Sequence, residues 1–147
     1  MDSDGRAVVG GYSYQSAGQM NGVIARYDTD GSLDTSFSTR GWIVVSFGTD
    51  HSTVVNVDIS SAGEILFAGG HFVSDWDATI GRLTSDGQLD TSFATQGFAI
   101  FSFGTTQDFT YSARYTSLGQ ISFIGSRQGA VRLHQLVGRL TTNGGLD

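Results

Sequence analysis

One seven-residue motif occurs three times along the chain and limits the folds open to it. GSLDTSF at residues 31–37 returns as GQLDTSF at residues 87–93, and a shortened copy, GGLD, occupies residues 144–147. The first glycines of the copies, Gly31, Gly87 and Gly144, are 56 and 57 residues apart. Self-similarity at a fixed period is the signature of a repeat architecture. We therefore predict one repeat domain over residues 1–147, with units at 1–48, 49–104 and 105–147, the last incomplete.

Each unit contains short apolar runs that are typical of β-strands. In the middle unit they cover residues 53–59, 64–69, 78–83 and 97–103, and they are bounded by Gly, Asp, Ser and Asn. Runs such as EILFAG are apolar on both faces, which indicates strands buried between stacked sheets. The sequence thus predicts an all-β fold of four-stranded antiparallel units, β-propeller-like, with almost no helix.

The most specific segments resemble a known repeat family. DGRAVVGGY, ARYDTDGSLDTSF and the following GWIVVSFG are similar to the delta-60 repeats of large bacterial surface and secreted proteins. The resemblance implies propeller-like β-structure of generally unassigned activity. The chain departs from the family in one respect: the proline that usually precedes the DG turn is replaced, giving SDG, SAG and SLG.

The predicted strands begin at the second strand of one unit and end after the third strand of a later one, giving about ten. A closed propeller has four to eight blades, so about two and a half blades leave open sheet edges and faces. We expect a homo-oligomer of identical chains, or further repeats of the same kind, to complete the structure as a ring or a filament.

Composition excludes several classes of partner. The net charge is −6 and all eight basic residues are arginine, which argues against nucleic-acid binding. No apolar run reaches 18 residues, so the sequence predicts no membrane span. The first residues show no signal-peptide pattern. The low charged fraction and the lack of lysine favour an extracellular or cell-surface location.

One copy of the motif has the spacing of a calcium loop. DTDGSLD places Asp28, Asp30 and Asp34 around a glycine turn, where carboxylates could bind Ca²⁺. The carboxylates fall from three to two to one across the copies, TSDGQLD and TTNGGLD being the others. A metal integral to the repeat would keep its ligands. The alternative is a hairpin turn, because Gly, Asn and Asp tolerate a positive φ.

A structural role explains the recurrence of the motif better than metal binding does. An arginine precedes each copy on a strand that is otherwise apolar, and a buried guanidinium needs a carboxylate partner. We predict that the aspartate of each LD pair is that partner and that the Phe of the motif anchors the next strand. The predicted joint residues are Arg26, Asp34, Phe37, Arg82, Asp90, Phe93, Arg139 and Asp147.

Ligand-binding residues are sought where the units differ. The loops between the second and third strands carry the candidates Tyr14, His71, Asp75, Trp76, Asp77, Arg127, Arg132 and His134. Variable loops of repeat proteins often collect on a binding face. Trp76 between two aspartates would suit a glycan, with the indole against a sugar ring. The alternatives are solvated loops without a ligand, or packing against a neighbouring chain.

The sequence gives little support for catalysis. His51, His71 and His134 occupy different phases of the repeat, and no metalloprotease, serine-hydrolase or phosphate-loop motif is present. No carboxylate pair stands out among 13 Asp and one Glu. We predict a non-enzymatic structural or interaction module without a cofactor. A carbohydrate- or ligand-binding propeller that uses the variable loops is the alternative, and a glycan-active enzyme is a weaker one.

Overall fold

A computed structural model describes residues 1–15, 18–47, 51–103, 107–129 and 132–147. The predicted unit boundaries at 48/49 and 104/105 lie outside these ranges, so the limits of the units stay a prediction. Within the described ranges no helix is long and apolar enough to cross a membrane.

The described residues form ten strands and one 3₁₀ turn at Phe37–Thr39. The strands are β1 (Ala7–Tyr14), β2 (Met20–Tyr27), β3 (Trp42–Val45), β4 (Ser52–Ile59), β5 (Ile65–Phe72), β6 (Trp76–Leu83), β7 (Phe98–Phe101), β8 (Asp108–Tyr115), β9 (Ile121–Gln128) and β10 (Leu133–Leu140). They build three antiparallel sheets in the orders β1-β2-β3, β4-β5-β6-β7 and β10-β9-β8. The predicted all-β fold of antiparallel sheets, consistent with an incomplete propeller, is confirmed.

The structure extends β5 beyond the predicted residue 69. Residues 70–72 continue the ladder, with Phe72 opposite Trp76. A side chain at Gly70 would meet the rings of Phe109 and Trp76 at 2.5 and 2.8 Å. The glycine therefore makes room for two aromatic rings and does not end the strand.

The middle sheet is buried on both faces, as its apolar runs predict. Ile65, Leu66, Phe67 and Ala68 are all at most 1% exposed. One core lies between the first and second sheets and consists of Ile24, Phe37, Val45, Val54, Ile65, Phe67 and Leu83. A second core lies between the second and third sheets and consists of Leu66, Ala68, Ile80, Phe93, Ala99, Ala113, Ile121, Phe123 and Leu140.

Hydrogen bonds from β8 amides to side chains on β4 hold the third sheet against the second. The Ala113 amide donates to Asn56 Oδ1 at 3.0 Å, and the Tyr115 amide donates to Asp58 Oδ2 at 2.8 Å. In both sheets the first strand has a β-bulge at the same place, between Val54 and Asn56 and between Thr110 and Ser112. The bulge is therefore part of the repeat, and it increases the local twist of the strand.

Candidate functional site

Each copy of the motif pairs its aspartate with the arginine eight residues earlier. Arg Nε lies 2.7 Å from Asp Oδ2 in the first and second copies and 2.5 Å in the third. The pairs are Arg26–Asp34, Arg82–Asp90 and Arg139–Asp147. In the first two the guanidinium side chains are 6% and 9% exposed, whereas that of Arg139 is 56% exposed. Three matching pairs with unequal burial show that the surroundings of the pair differ along the chain.

The aspartate also closes the local turn. Asp34 Oδ1 accepts hydrogen bonds from the Ser36 amide and hydroxyl, and Asp90 Oδ1 does the same with Ser92. The hydroxyl of Ser36, acting against the desolvation of the carboxylate and together with Arg26, lowers the pKa of Asp34 to about 2. Asp34 is thus held as a carboxylate that binds Arg26 and closes one turn, and Arg6 Nη1 lies 3.6 Å from the same Oδ2.

The same arginines reach across the sheet interface to the next unit. Arg26 Nη1 donates to the Ser85 carbonyl at 2.6 Å, and Arg82 Nη1 donates to the Thr142 carbonyl at 2.8 Å. Ser85 and Thr142 stand two residues before the glycines of the second and third motif copies. The backbone adds a parallel link, because the Ser38 amide donates to Asp86 O at 2.9 Å. The arginine therefore joins two units as well as one turn.

The phenylalanine of the motif fills the remaining space at this junction. The guanidinium of Arg26 lies 4.7 Å from the Phe37 ring centroid, and that of Arg82 lies 4.8 Å from the Phe93 ring. Each ring also lies against the glycine of the following unit: a Cβ at Gly87 would stand 2.5 Å from the Phe37 ring, and a Cβ at Gly144 would stand 2.8 Å from the Phe93 ring. We call this arrangement of Arg, Asp, Phe and the following glycine the inter-unit joint.

Sequence reasoning missed the glycine as a partner of the joint. The repeat showed that Phe37 and Gly87 occupy recurring positions of the motif. A sequence period does not show which copies of the motif are neighbours in space. The signal that existed was the heptad itself: its Gly and Phe ends recur together. Each junction uses the Phe end of one copy and the Gly end of the next.

Two halves of the joint have no counterpart in the described part of the chain. A Cβ built on Gly31 would have no described atom within 4 Å, although its φ of +87° matches the +84° of Gly87. Arg139 is the exposed arginine of the three, and the motif copy that follows it ends at Asp147. Within the described residues, the first unit therefore presents a glycine turn without a packing partner and the third unit an exposed arginine.

The predicted calcium ligands are used within the turn. Asp30 Oδ1 accepts from the Ser32 amide and hydroxyl, and Asp34 binds Arg26 and Ser36. The backbone of Asp28 closes the turn through the Ser32 carbonyl. Across the described ranges no group of three His, Cys, Asp or Glu side chains is arranged to hold a metal ion. Calcium binding here stays a prediction.

The aromatic candidates of the variable loops lie in different environments. Tyr14 is exposed and packs edge-on against Tyr12, with centroids 5.9 Å apart. Trp76 is half-buried between Phe72 and Phe109, at centroid distances of 5.6 and 5.5 Å. The indole therefore packs across the interface of the second and third sheets.

The structure brings the charged loop candidates together in two cross-strand pairs. His71 lies opposite Asp77 on β5 and β6, and Arg127 lies opposite His134 on β9 and β10. His71 is buried, and neither its Nδ1 nor Asp77 Oδ1 has a hydrogen-bond partner among the described residues.

The remaining loop candidates stand apart from these pairs. Asp75 lies in the β5–β6 turn, where the Ser74 hydroxyl donates to it at 3.1 Å. Arg132 and His134 are exposed in the third unit. The loop candidates do not converge on one described pocket, since none of the eight lines the groove beside β7 or the cavity between β8 and β9.

Asp108 is a buried acid that the sequence did not single out. Its side chain is fully buried at the start of β8, where Oδ2 accepts from the Phe103 amide at 2.8 Å and Oδ1 has no partner among the described residues. Burial raises the pKa of Asp108, and Asp77 and Asp75 add to the increase. In the second unit Ser52 holds the same position and accepts from the Phe47 amide. The acid is a local exception to the repeat, which is why no periodic signal found it.

Comparison with known proteins gives a family match in two segments. A family described as "Domain of unknown function (DUF5122) beta-propeller" matches residues 3–37 and 63–93. These two segments of the chain are similar to DUF5122 β-propeller repeats. No curated protein matches the chain. Both DUF5122 segments end on the phenylalanine of the joint, Phe37 and Phe93, and both contain the Arg–Asp pair. The Arg, Asp and Phe residues of the first two joints thus lie inside the matched segments, whereas the residues around Asp108 lie outside them.

Proposed function

We propose that the chain is a non-enzymatic structural module whose open sheet faces associate with further repeat units of the same kind. One observation carries this proposal: the inter-unit joint is built twice inside the chain, and its two complementary halves are left at Gly31 and Arg139. A repeat that buries its faces only against neighbours needs units at both ends.

The outer faces of the first and third sheets support the same conclusion. Val9 of β1 is 46% exposed, although Phe67 at the equivalent place in β5 is buried against the first sheet. Val137 of β10 is 74% exposed, whereas the equivalent Ile80 in β6 is fully buried. Exposed apolar positions that are core positions in the next copy mark an association surface.

We place the module in a secreted or cell-surface protein, where rings and filaments of repeats have a structural use. The low charged fraction and the lack of lysine support this location. We do not extend the proposal to glycan binding through Trp76, because its ring is packed between Phe72 and Phe109.

Sedimentation velocity over a range of concentrations tests the proposal. We expect multimers that dissociate in the variants Val9→Lys and Val137→Lys, since each places a charge on one open face. Val73→Lys, in the exposed β5–β6 turn away from both faces, is the matched control and should assemble normally. A chain that stays monomeric at about 1 mM, where association of about 4 kcal/mol would be detected, overturns the proposal.

A further inference from the structure

In the first two sheets the strand that carries the joint arginine, β2 or β6, pairs with a further short strand, β3 or β7. In the third sheet no described strand pairs with β10 in this way. The amides of Arg26 and Arg82 donate to the carbonyls of Gly41 and Gly97, where the four-residue strands β3 and β7 begin. β10 has the same position in its sheet and ends the strand order there. Within the described ranges no strand pairs with its outer edge.

The outer edge of β10 presents a defined set of backbone groups. In an antiparallel strand alternate residues direct both N–H and C=O to the same side. Arg82 directs both outward, since its amide bonds Gly97 and its carbonyl accepts from the Asp90 amide. The equivalent Arg139 accepts from the Asp147 amide in the same way, so Val137 and Gln135 also direct their amides outward. These amides are donors for an added strand.

A groove beside β7 would receive the side chains of an added strand. It has a volume of about 840 Å³ and is lined by Ala94–Gln96, Phe98–Phe101 and Gly144–Leu146, together with Ser46 and Phe47. Between the first and second sheets, the ring centroid of Phe98 on β7 lies 4.5 Å from that of Phe47 and 6.1 Å from that of Phe67. Phe103 and Phe123 hold the equivalent positions in the next interface, and Phe103 is exposed there. An aromatic side chain on an added strand would complete this cluster.

We propose that the outer edge of β10 and the adjoining groove form a binding site for a short extended segment of the β3/β7 type. Its chemistry is a glycine, then an aromatic residue, then apolar residues at alternate positions, as in GWIVVSF and GFAIFSF. Addition of a strand to a sheet edge takes its affinity from main-chain hydrogen bonds and its specificity from alternate side chains. The inference uses the propeller interpretation of the proposed function but does not depend on self-association of the chain.

The strands β3 and β7, which pair with the equivalent edges of β2 and β6, favour this kind of segment over other apolar partners. β3 and β7 each pair over only four residues, at Gly22–Ala25 and Ala78–Gly81, so the matching edge is Gln135–Gly138. The free edge of β1 differs, because its counterpart β5 pairs there with the eight-residue strand β4. A peptide of residues 35–47 carries one arginine and no acid, which favours approach to a chain of net charge −6.

A labelled peptide of residues 35–47, TSFSTRGWIVVSF, is the probe, and fluorescence anisotropy with the full chain is the measurement. In β3 the amides of Ile43 and Val45 face β2, because Ile24 and Gly22 share the outward direction of Arg26. N-methylation at Ile43 should therefore weaken binding by about tenfold or more, the effect of losing one hydrogen bond and adding a clash. N-methylation at Val44, whose amide faces away, is the matched control and should leave the dissociation constant within about threefold.

A variant of the chain locates the binding edge. Val137→Pro removes an outward amide that the sheet does not use, so the fold should persist while peptide binding is lost. Near-ultraviolet circular dichroism checks the fold, and if this variant unfolds, the two methylated peptides decide alone. Equal binding of the two peptides, or no saturable binding of the unmodified one, overturns the inference. Peptide binding by a chain that never self-associates would uphold the inference and overturn the proposed function. Self-association of a chain that does not bind the peptide would overturn the inference and uphold the proposed function.

Discussion

Phe37 of the first unit lies against Gly87 of the second, so close that a Cβ at Gly87 would stand 2.5 Å from the Phe37 ring. Gly87 also has a φ of +84°, a conformation that side-chain-bearing residues rarely adopt. The glycine is therefore required twice, once by the turn and once by the neighbouring ring. Gly31 has the same conformation without a described neighbour, which makes the two requirements separable.

We expect Gly87→Ala to destabilise the chain by more than Gly31→Ala does. Both variants strain a positive φ, at about 1 kcal/mol, whereas only Gly87→Ala forces the Phe37 ring out of its place, for a further 1–3 kcal/mol, roughly. Denaturant unfolding of the two variants and the parent measures the difference. Equal losses would mean that the ring does not hold the two sheets together.

The buried and exposed Arg–Asp pairs form a second matched comparison. Arg82→Met should reduce the free energy of unfolding by about 3 kcal/mol, because it leaves Asp90 without its charge partner and the Thr142 carbonyl without a donor. Arg139→Met should cost less than about 1 kcal/mol, since that side chain is largely exposed. Urea denaturation of both variants provides the test, and similar costs would contradict the role of burial.

Sequence periodicity predicted the strands and the spacing of the Arg–Asp pairs because both lie inside one unit. The apolar runs gave ten strands, and the eight-residue separation of Arg and Asp is constant in all three copies. Contacts between units were harder, because a period names equivalent residues and not adjacent ones. Asn56 and Asp58 bind the next sheet, but Ser112 and Arg114 replace them one unit later, so no repeat marked them.

The loop interpretation depended on solvent exposure that a sequence does not report. Trp76 between two aspartates has the composition of a sugar platform, yet its ring packs on Phe109 of the next sheet. The space for that contact comes from Gly70, directly before the loop candidate His71. A glycine inside a strand was the relevant residue, and its meaning required the position of β8.

The lowered pKa of Asp34 predicts a loss of stability in acid. Its folded-state pKa is about 2, against an ordinary value of 3.8, so the carboxylate stabilises the fold above pH 4. That contribution disappears as the pH falls from about 4 to about 2. Asp34→Asn should be less stable than the parent at pH 7, and the difference should narrow across this interval. Thermal unfolding from pH 7 to pH 2 measures it.

Asp28→Asn is the control for the loss of one negative charge in the same turn, since the Asp28 side chain does not contact Arg26. It should change the free energy of unfolding by less than about 0.5 kcal/mol at pH 7. A gap between Asp34→Asn and the parent that stays constant down to pH 2 would show that the pair is not stabilised by ionisation of Asp34.

Asp108→Ser should stabilise the chain at neutral pH. The serine copies Ser52 of the preceding unit, which accepts the equivalent amide of Phe47, so the hydrogen bond from Phe103 has a precedent in the same fold. It also removes a buried carboxylate whose Oδ1 has no described partner, a gain of about 1 kcal/mol.

The stability gain of Asp108→Ser should depend on pH. Because the pKa of Asp108 is raised in the folded state, the free energy of unfolding of the parent falls as the pH rises through that pKa. The advantage of the variant should therefore be present at pH 7 and shrink below the ordinary pKa of 3.8. Denaturation at pH 7 and pH 3.5 measures it, and a variant less stable than the parent at pH 7 would show that the carboxylate has a binding partner in the folded protein.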